Sequence, residues 1–337
     1  MVSNRRSGVA WLAIGSVSAD SQAAPARQLP PDPVIPGREC PGWDRPESSE
    51  NQDRWVALTD AEAAVLAVAD GMGGIPGGGA AATRALAGML SLIGDGLAAD
   101  SVRPDSVRPD SVGPAELLAG AVAAADRRVR ALAERVGDRP DPRGPGSTFT
   151  AALILGDRLH LAHVGDSSCW LFRRGRLCRL TEQHTAAAVL VASGAVAASS
   201  MAARRLDALL TRYLGMPGVL HPQLTEIRLR PGDRLLLATD GLTRSLAVSH
   251  LAVLLRDPRT TADRLVAAAV AAGARDDVTA VVAAVRSTHG IGSQANTQYP
   301  HGAGGTAGTA MVRLPLPPFA PEELPTGETG RAAVAGR

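Results

Sequence analysis

Short apolar runs that end in tight turns are the feature that most restricts how this chain can fold. Runs such as Ala63–Ala69 and Leu159–Val164 are short and have glycine close by, so they predict buried strands and not helices. Aspartates lie where such runs meet turns, and the pattern therefore places carboxylates at strand ends, beside bends. The four aspartates at these boundaries are Asp70, Asp166, Asp240 and Asp276.

These carboxylates need a positive partner, because an ionised carboxylate near an apolar core is costly without one. The chain contains no lysine, and no arginine is adjacent in sequence to Asp70, Asp166 or Asp240. Divalent cations that prefer oxygen ligands are the natural counter-charge. The sequence therefore predicts a metal centre at a sheet edge.

The composition excludes several classes of protein. A net charge of +2, with arginines spread along the chain and only 3% aromatic residues, gives no basis for a nucleic-acid interface. No apolar stretch is long enough to cross a bilayer, so no membrane partner is expected. Cys40, Cys169 and Cys178 are odd in number and lack metal-type spacing, which favours a reduced, cytoplasmic protein.

The order of the predicted elements indicates an α+β fold. Strands come in hairpins around Gly156–Arg158 and Arg173–Gly175, with helices grouped between strands, which argues against a parallel doubly wound sheet. Further strands are predicted on both sides of the turn Arg230–Asp233, whereas Glu182–Arg205 is ambiguous. Other predicted elements are a first strand at Val9–Ile14, helices at Gly79–Ile93, Pro114–Val136 and Thr261–Ala272, and a closing strand at Val278–Val285.

Three segments are expected to lie outside the packed core. Residues 20–47 are rich in proline, residues 100–113 repeat a short Asp-Ser-Val-Arg-Pro unit, and residues 288–337 have no hydrophobic periodicity. Such compositions cannot bury enough apolar surface to become ordered. We therefore expect one folded domain over residues 8–287, with two insertions, followed by a disordered tail.

A series of short motifs, taken in order, resembles the metal-dependent Ser/Thr protein phosphatases of type 2C in their bacterial form. The resemblance covers roughly Gly8–Ser287, and it implies two antiparallel β-sheets packed as a sandwich, with helices on the outer faces. Any one motif is weak evidence for the family, but chance does not readily explain five or more of them in the same order. The motifs are Asn51-Gln52-Asp53, Asp70-Gly71-Met72-Gly73-Gly74, Gly146-Ser147-Thr148, Val164-Gly165-Asp166-Ser167, Leu210–Gly215, Thr239-Asp240-Gly241-Leu242 and Asp276-Asp277-Val278-Thr279.

The resemblance implies hydrolysis of phosphoserine and phosphothreonine in proteins, in opposition to a Ser/Thr kinase. Asp70 would bridge two Mn²⁺ or Mg²⁺ ions, which lower the pKa of a bridging water and stabilise an in-line displacement. Asp70, Asp240 and Asp276 are thus the implied catalytic residues. The implied metal positions also include the Gly71 carbonyl, Asp53 through a bound water, and Asp166 at a third ion.

Several positions depart from the family pattern. Ser48 replaces a phosphate-binding arginine, for which the nearby Arg45 is a candidate substitute. Gln52 stands where many members have glutamate, and Asp277 where asparagine is common. Arg244 replaces a further aspartate, which makes a third ion doubtful.

Alternatives remain open at this stage. An aspartate before glycine is often only a turn residue, although this explains the ordered set of motifs poorly. A P-loop nucleotide site needs a lysine that this chain lacks. A pseudophosphatase, which would bind phosphoproteins with little turnover, stays possible because of Ser48. Among the histidines, His163 is expected in the sheet or core and His184 in a solvated loop.

Deletion of the tail Thr288–Arg337, or of Asp100–Val112, should leave the melting temperature and the turnover of a small aryl phosphate nearly unchanged. The reason is that neither segment can bury much apolar surface. Thermal unfolding and steady-state kinetics of the two deletion variants check this. A large fall in melting temperature would instead show that the deleted segment is part of the core.

Overall fold

The computed structural model describes residues 9–19, 51–59, 63–72, 77–98, 112–136 and 144–287. The proline-rich insertion, most of the low-complexity insertion and the tail lie outside these residues, so the predicted domain boundaries remain a prediction. No helix in the described ranges combines the length and the apolar character that crossing a membrane requires.

The described chain alternates groups of strands with pairs or groups of helices. The strands are β1 (Val9–Ala19), β2 (Asp53–Thr59), β3 (Ala63–Met72), β4 (Gly146–Ser147), β5 (Phe149–Leu155), β6 (Arg158–Val164), β7 (Ser168–Arg173), β8 (Arg176–Arg179), β9 (Gln223–Arg228), β10 (Arg234–Ala238) and β11 (Val278–Ser287). The helices are α1 (Gly78–Ala98), α2 (Pro114–Val136), α3 (Ala186–Ala192), α4 (Met201–Leu206), α5 (Asp240–Ser245), α6 (Val248–Arg256) and α7 (Ala262–Ala271).

The strands form two antiparallel sheets. The first has the order β1-β11-β10-β7-β8, and the second has the order β2-β3-β5-β6-β9, with β4 paired to β3. The first and last described strands pair with each other, Val9 opposite Ser287, so the two ends of the described chain meet in one sheet. The predicted α+β class with two antiparallel sheets is confirmed.

Side-chain alternation along the strands builds the layers. In β3, Leu66 and Val68 pack into the core between the two sheets. Their neighbours Val65 and Ala67 point the other way, into the core beneath α1 and α2. In β10, Leu236 packs against the helices on the outer face of the first sheet. Both faces of these strands are buried, which explains why their sequences are continuous apolar runs.

The structure adds detail to two predicted segments. The strands predicted around Arg230–Asp233 are confirmed, and they lie in different sheets, because β9 pairs with β6 in one sheet and β10 pairs with β7 and β11 in the other. The ambiguous segment Glu182–Arg205 contains two short helices, each capped by a hydroxyl: Thr185 accepts from the Ala188 N–H and Ser200 from the Ala203 N–H.

A buried ion pair fixes the connection between β9 and β10. The Arg173 guanidinium donates to both carboxylate oxygens of Asp233, at 2.8 and 2.6 Å, and also to the Arg228 carbonyl. Asp233 further accepts a hydrogen bond from the Arg230 N–H at 2.7 Å. The pair therefore holds the turn that carries the chain from the second sheet to the first.

Replacing Asp233 by alanine should lower the free energy of unfolding by about 3–5 kcal/mol, because it leaves the buried Arg173 guanidinium without its carboxylate. The matched control is Arg259→Ala, since Arg259 pairs with Asp257 while its side chain is 89% exposed. That control should cost less than about 1 kcal/mol. Chemical denaturation of both variants measures the difference, and similar costs would contradict the assignment.

Candidate metal centre

Asp70 is held at the end of β3 by the Ser147-Thr148 pair. The Asp70 N–H donates to the Thr148 hydroxyl at 2.9 Å, and the Thr148 N–H donates back to the Asp70 carbonyl at 2.8 Å. The Ser147 hydroxyl donates to the same carbonyl at 3.1 Å. The Gly146-Ser147-Thr148 motif thus fixes the backbone of Asp70 and leaves its carboxylate for other partners.

Asp53 lies beside Asp70, because the two residues are register partners in β2 and β3. The Asp53 side chain is buried, and its Oδ2 accepts a hydrogen bond from the Thr239 hydroxyl at 2.8 Å. Thr239 also accepts from the Thr279 N–H at 3.0 Å. Thr239 therefore joins the two sheets at the point where their acidic residues meet.

Three of the predicted aspartates converge into one cluster. Asp70 ends β3, Asp166 follows β6, and Asp240 begins α5 after β10. Each offers one carboxylate oxygen, and these three oxygens all lie within 4.8 Å of one another. Carboxylate oxygens at such spacing suit a hard divalent cation.

The glycine after two of these aspartates is required by close backbone contact. A Cβ on Gly71 would lie 1.9 Å from the Gly78 carbonyl oxygen, and a Cβ on Gly241 would lie 2.0 Å from the Asp277 carbonyl oxygen. Neither position could accept a side chain without movement of the backbone. The Asp-Gly pairs are therefore more than turn signals, since they let separate segments pack against the centre.

The electrostatics of the cluster favour the binding of cations. Burial raises the pKa of Asp70 well above its usual value, and the negative charges of Asp53, Asp240 and Asp166 raise it further. Burial likewise raises the pKa of Asp53, against the lowering effect of the Thr239 hydrogen bond. Burial and the Asp166 charge raise the pKa of Asp240 to about 7. Oδ1 of Asp53 and Oδ1 of Asp240 are buried and have no hydrogen-bond partner, so they fit as ligands of metal ions or of metal-bound water.

Asp276 lies at the rim of the centre and its side chain is exposed. It is outside the cluster of three, although its charge adds to the effect of burial and the nearer carboxylates on the pKa of Asp70 and Asp240. The adjacent Asp277, which the sequence analysis did not assign to the site, accepts a hydrogen bond from the Gln52 N–H at 2.7 Å. Asp277 thus connects the loop before β11 to the residue that precedes β2 and Asp53.

A guanidinium lies against the cluster, contrary to the expectation from sequence adjacency. Arg244 approaches Asp240 at 2.9 Å and Asp166 at 3.3 Å. Arg244 is four residues after Asp240, one helical turn along α5, so the helix returns it to the same side. A search for cations at helical spacing would have found it.

The predictions for the two histidines have different outcomes. His163 is buried in β6, where its ring contacts the Thr150 hydroxyl at 2.8 Å and the Gly165 and Glu182 carbonyls at 3.0 and 2.8 Å, so the predicted sheet position is confirmed. The prediction for His184 is wrong, because His184 is also buried. Its Nδ1 accepts from the Gly165 N–H at 3.1 Å, next to Asp166. Ser48, Arg45, Gly73 and Gly74 lie outside the described residues.

Comparisons with known proteins identify the family of this chain. A family model described as "Protein phosphatase 2C" matches residues 45–268. The chain belongs to the protein phosphatase 2C family. It is 35% identical over 227 residues to the "Serine/threonine protein phosphatase PstP" of Mycobacterium tuberculosis, covering 67% of this chain and 41% of that protein. It is 28% identical over 145 residues to the Listeria monocytogenes "Serine/threonine phosphatase stp", covering 42% of this chain and 58% of that protein.

Solved structures support the same assignment for this phosphatase-family chain. The Mycobacterium tuberculosis phosphatase PstP/Ppp aligns with a TM-score of 0.58 at 28% identity, over 82% of this chain and 100% of that chain. A structure of the PstP catalytic domain in complex with two manganese ions aligns with a TM-score of 0.57 at 29% identity, over 82% and 99%. The chain therefore spans a whole catalytic domain of such relatives but less than half of the full-length Mycobacterium protein.

The unusual pKa values give a pH prediction for the protein stripped of metal. Because the folded pKa of Asp240 is raised to about 7, the folded state binds more protons than the unfolded state, and stability falls as pH rises through that value. Burial lowers the pKa of His163 to about 3 and of His184 to about 4, which opposes this trend only below about pH 6.5.

We therefore expect the melting temperature in chelator to fall between about pH 6.5 and 8, and excess Mn²⁺ to remove most of that fall. The variant Asp240→Asn should show a weaker pH dependence in chelator, because one of the titrating carboxylates is gone. Scanning calorimetry across this pH range makes the measurement. A melting temperature that rises with pH in chelator would contradict the electrostatic assignment.

Proposed function

We propose that this chain is a Mn²⁺- or Mg²⁺-dependent phosphatase that hydrolyses phosphoserine and phosphothreonine in proteins. The observation that carries the proposal is the convergence of Asp70 and Asp240 from separate segments, with Asp166 beside them and one oxygen of each residue within 4.8 Å of the others, at the position where the sequence motifs of the family predict a metal centre. Membership of the protein phosphatase 2C family and the manganese complex of a relative support it.

We assign two ions to this centre, with Asp70 contributing to both. The Gly71 carbonyl, Asp240 and Asp276 would complete the protein ligands, and Asp53 would hold a metal-bound water. Asp53 and Asp240 each retain one buried oxygen without a hydrogen bond, which is the state expected of a ligand whose other oxygen is fixed by protein. Asp276 is exposed, so it would bind from the solvent side of the centre.

When bound, the ions would supply an activated water and stabilise charge on the phosphoryl oxygens. The contribution of the protein is orientation. Thr239 fixes Oδ2 of Asp53, and Thr148 with Ser147 fixes the backbone of Asp70. These hydrogen bonds come from strand ends in a packed sandwich, so the carboxylates are held in place before any substrate arrives.

We further propose that the substrates are phosphoproteins made by a Ser/Thr kinase, because the relatives that match this chain are named as Ser/Thr phosphatases. A reducing compartment such as the cytoplasm is consistent with the free thiols of Cys169 and Cys178. No nucleic-acid or membrane partner forms part of the proposal.

The variant Asp70→Asn tests the centre directly. It preserves the shape of the side chain but removes negative charge between the proposed ions, so turnover of a phosphothreonine peptide with Mn²⁺ should fall by several orders of magnitude. The matched control is Asp263→Asn on α7, which should retain activity. Release of inorganic phosphate is the readout, with metal content and melting temperature measured on each variant.

Near-normal turnover by correctly folded Asp70→Asn would overturn the two-ion assignment. Parent protein that binds Mn²⁺ but releases no phosphate from phosphoserine, phosphothreonine or a small aryl phosphate would instead favour the pseudophosphatase alternative. The two results are separable, because the first concerns the role of one residue and the second concerns the activity of the parent.

A further inference from the structure

Arg244 connects three aspartates at the edge of the metal centre. Its Nη1 lies 2.9 Å from Oδ2 of Asp240, and its Nη2 lies 3.3 Å from Oδ2 of Asp166. Nη2 also donates to the Asp207 carbonyl at 3.1 Å, and Nε lies 3.9 Å from Oδ2 of Asp207. The guanidinium is therefore a fixed positive charge that two members of the acidic cluster share.

These contacts divide the oxygens of the cluster into two groups. Oδ2 of Asp240 and Oδ2 of Asp166 face Arg244, whereas Oδ1 of Asp240 is buried without a hydrogen bond. The Asp240 side chain is only 9% exposed, so its Oδ1 has little access to solvent. Arg244 thus leaves Oδ1 of Asp240 for a metal ion, and it contacts Oδ2 of both Asp166 and Asp240.

We propose that the Arg244 guanidinium acts as a built-in cation of this centre, which takes the place of one divalent ion between Asp166 and Asp240. The inference rests on the proposed metal-dependent function. It assigns Arg244 as a positioning residue for Asp240 and assigns Asp166 as a partner of Arg244, not of a metal ion, in the native protein. A guanidinium carries a permanent charge and a planar set of donors, so it can neutralise two carboxylates at once.

Arg179 does not perform this role. It donates to the backbone carbonyl of Asp166 at 3.1 Å, and its guanidinium carbon lies 5.5 Å from the centre of the Trp170 ring. Its contact therefore fixes the loop that carries Asp166 and leaves the carboxylate to Arg244. Arg244 also reaches Asp207, the residue that ends α4, so the same side chain ties the segment carrying α3 and α4 to the centre.

The number of Mn²⁺ ions bound per chain tests the proposal without any reference to activity. Equilibrium dialysis and isothermal titration should show about one additional Mn²⁺ per chain in Arg244→Ala compared with the parent. The reason is that Asp166 and Asp240, without the guanidinium between them, can share a metal ion. Arg244→Lys should bind the parental number, since the ammonium keeps the positive charge. Arg212→Ala is the control, because Arg212 contacts His184 and should leave the number unchanged.

A double variant makes the test specific to Asp166. If the additional ion lies between Asp166 and Asp240, then Arg244→Ala combined with Asp166→Ala should return to the parental number. Equal numbers in Arg244→Ala and the parent would overturn the proposal. So would unchanged metal binding with a raised KM for the phosphopeptide, which would make Arg244 a substrate contact.

The test remains decisive if one variant is unstable. Arg244→Gln removes the charge but keeps much of the side-chain volume, and it should also bind the additional ion. The difference between the variants and the parent decides this inference, whereas the absolute number in the parent decides the proposed metal-dependent function. A parent that binds no divalent ion would overturn the proposed function. Arg244 variants that bind the same number of Mn²⁺ ions as the parent would overturn the inference about Arg244.

Discussion

Burial of several carboxylates close together is the constraint on which the rest of this structure depends. The two sheets bring Asp53, Asp70, Asp166 and Asp240 together in a site largely shielded from water, where burial and like charge both raise their pKa values. Such an arrangement destabilises the folded protein at neutral pH unless positive charge enters it. Cations at this site therefore stabilise the folded protein, and the proposed hydrolysis uses these same cations.

The folded protein can carry these buried carboxylates because its apolar core is well packed away from the site. Alternating residues of β3 and β10 fill separate cores on the two faces of each sheet, and the buried Arg173–Asp233 pair fixes the crossing from one sheet to the other. Local instability at the centre is thus offset by burial of many apolar side chains. The acidic site thus lies at the strand ends, whereas the apolar residues that stabilise the fold lie along the strands.

Hydroxyl side chains fix the positions of the acidic residues at the strand ends. Thr239 contacts both Asp53 and the Thr279 N–H, so it holds acidic residues of the two sheets in register. Thr148, which lies between β4 and β5 of the same sheet as β3, fixes the backbone of Asp70. Arg244 then supplies a positive charge that belongs to the protein itself, through its contacts with Asp166 and Asp240. In the proposed function, this fixed charge limits the number of metal ions that the centre binds.

The sequence by itself determined the class of fold, most of the strands, the helices α1, α2 and α7 and the acidic residues, because apolar periodicity and glycine turns act over a few neighbouring residues. It did not predict β2, α5 or α6. It could not show that the strands around Arg230–Asp233 separate into different sheets, nor that His184 is buried. It also missed the contact of Arg244 with Asp166, which lies 78 residues away in the chain. Only the tertiary structure decides such matters, since pairing between distant segments depends on how the two sheets pack and not on the residues adjacent in sequence.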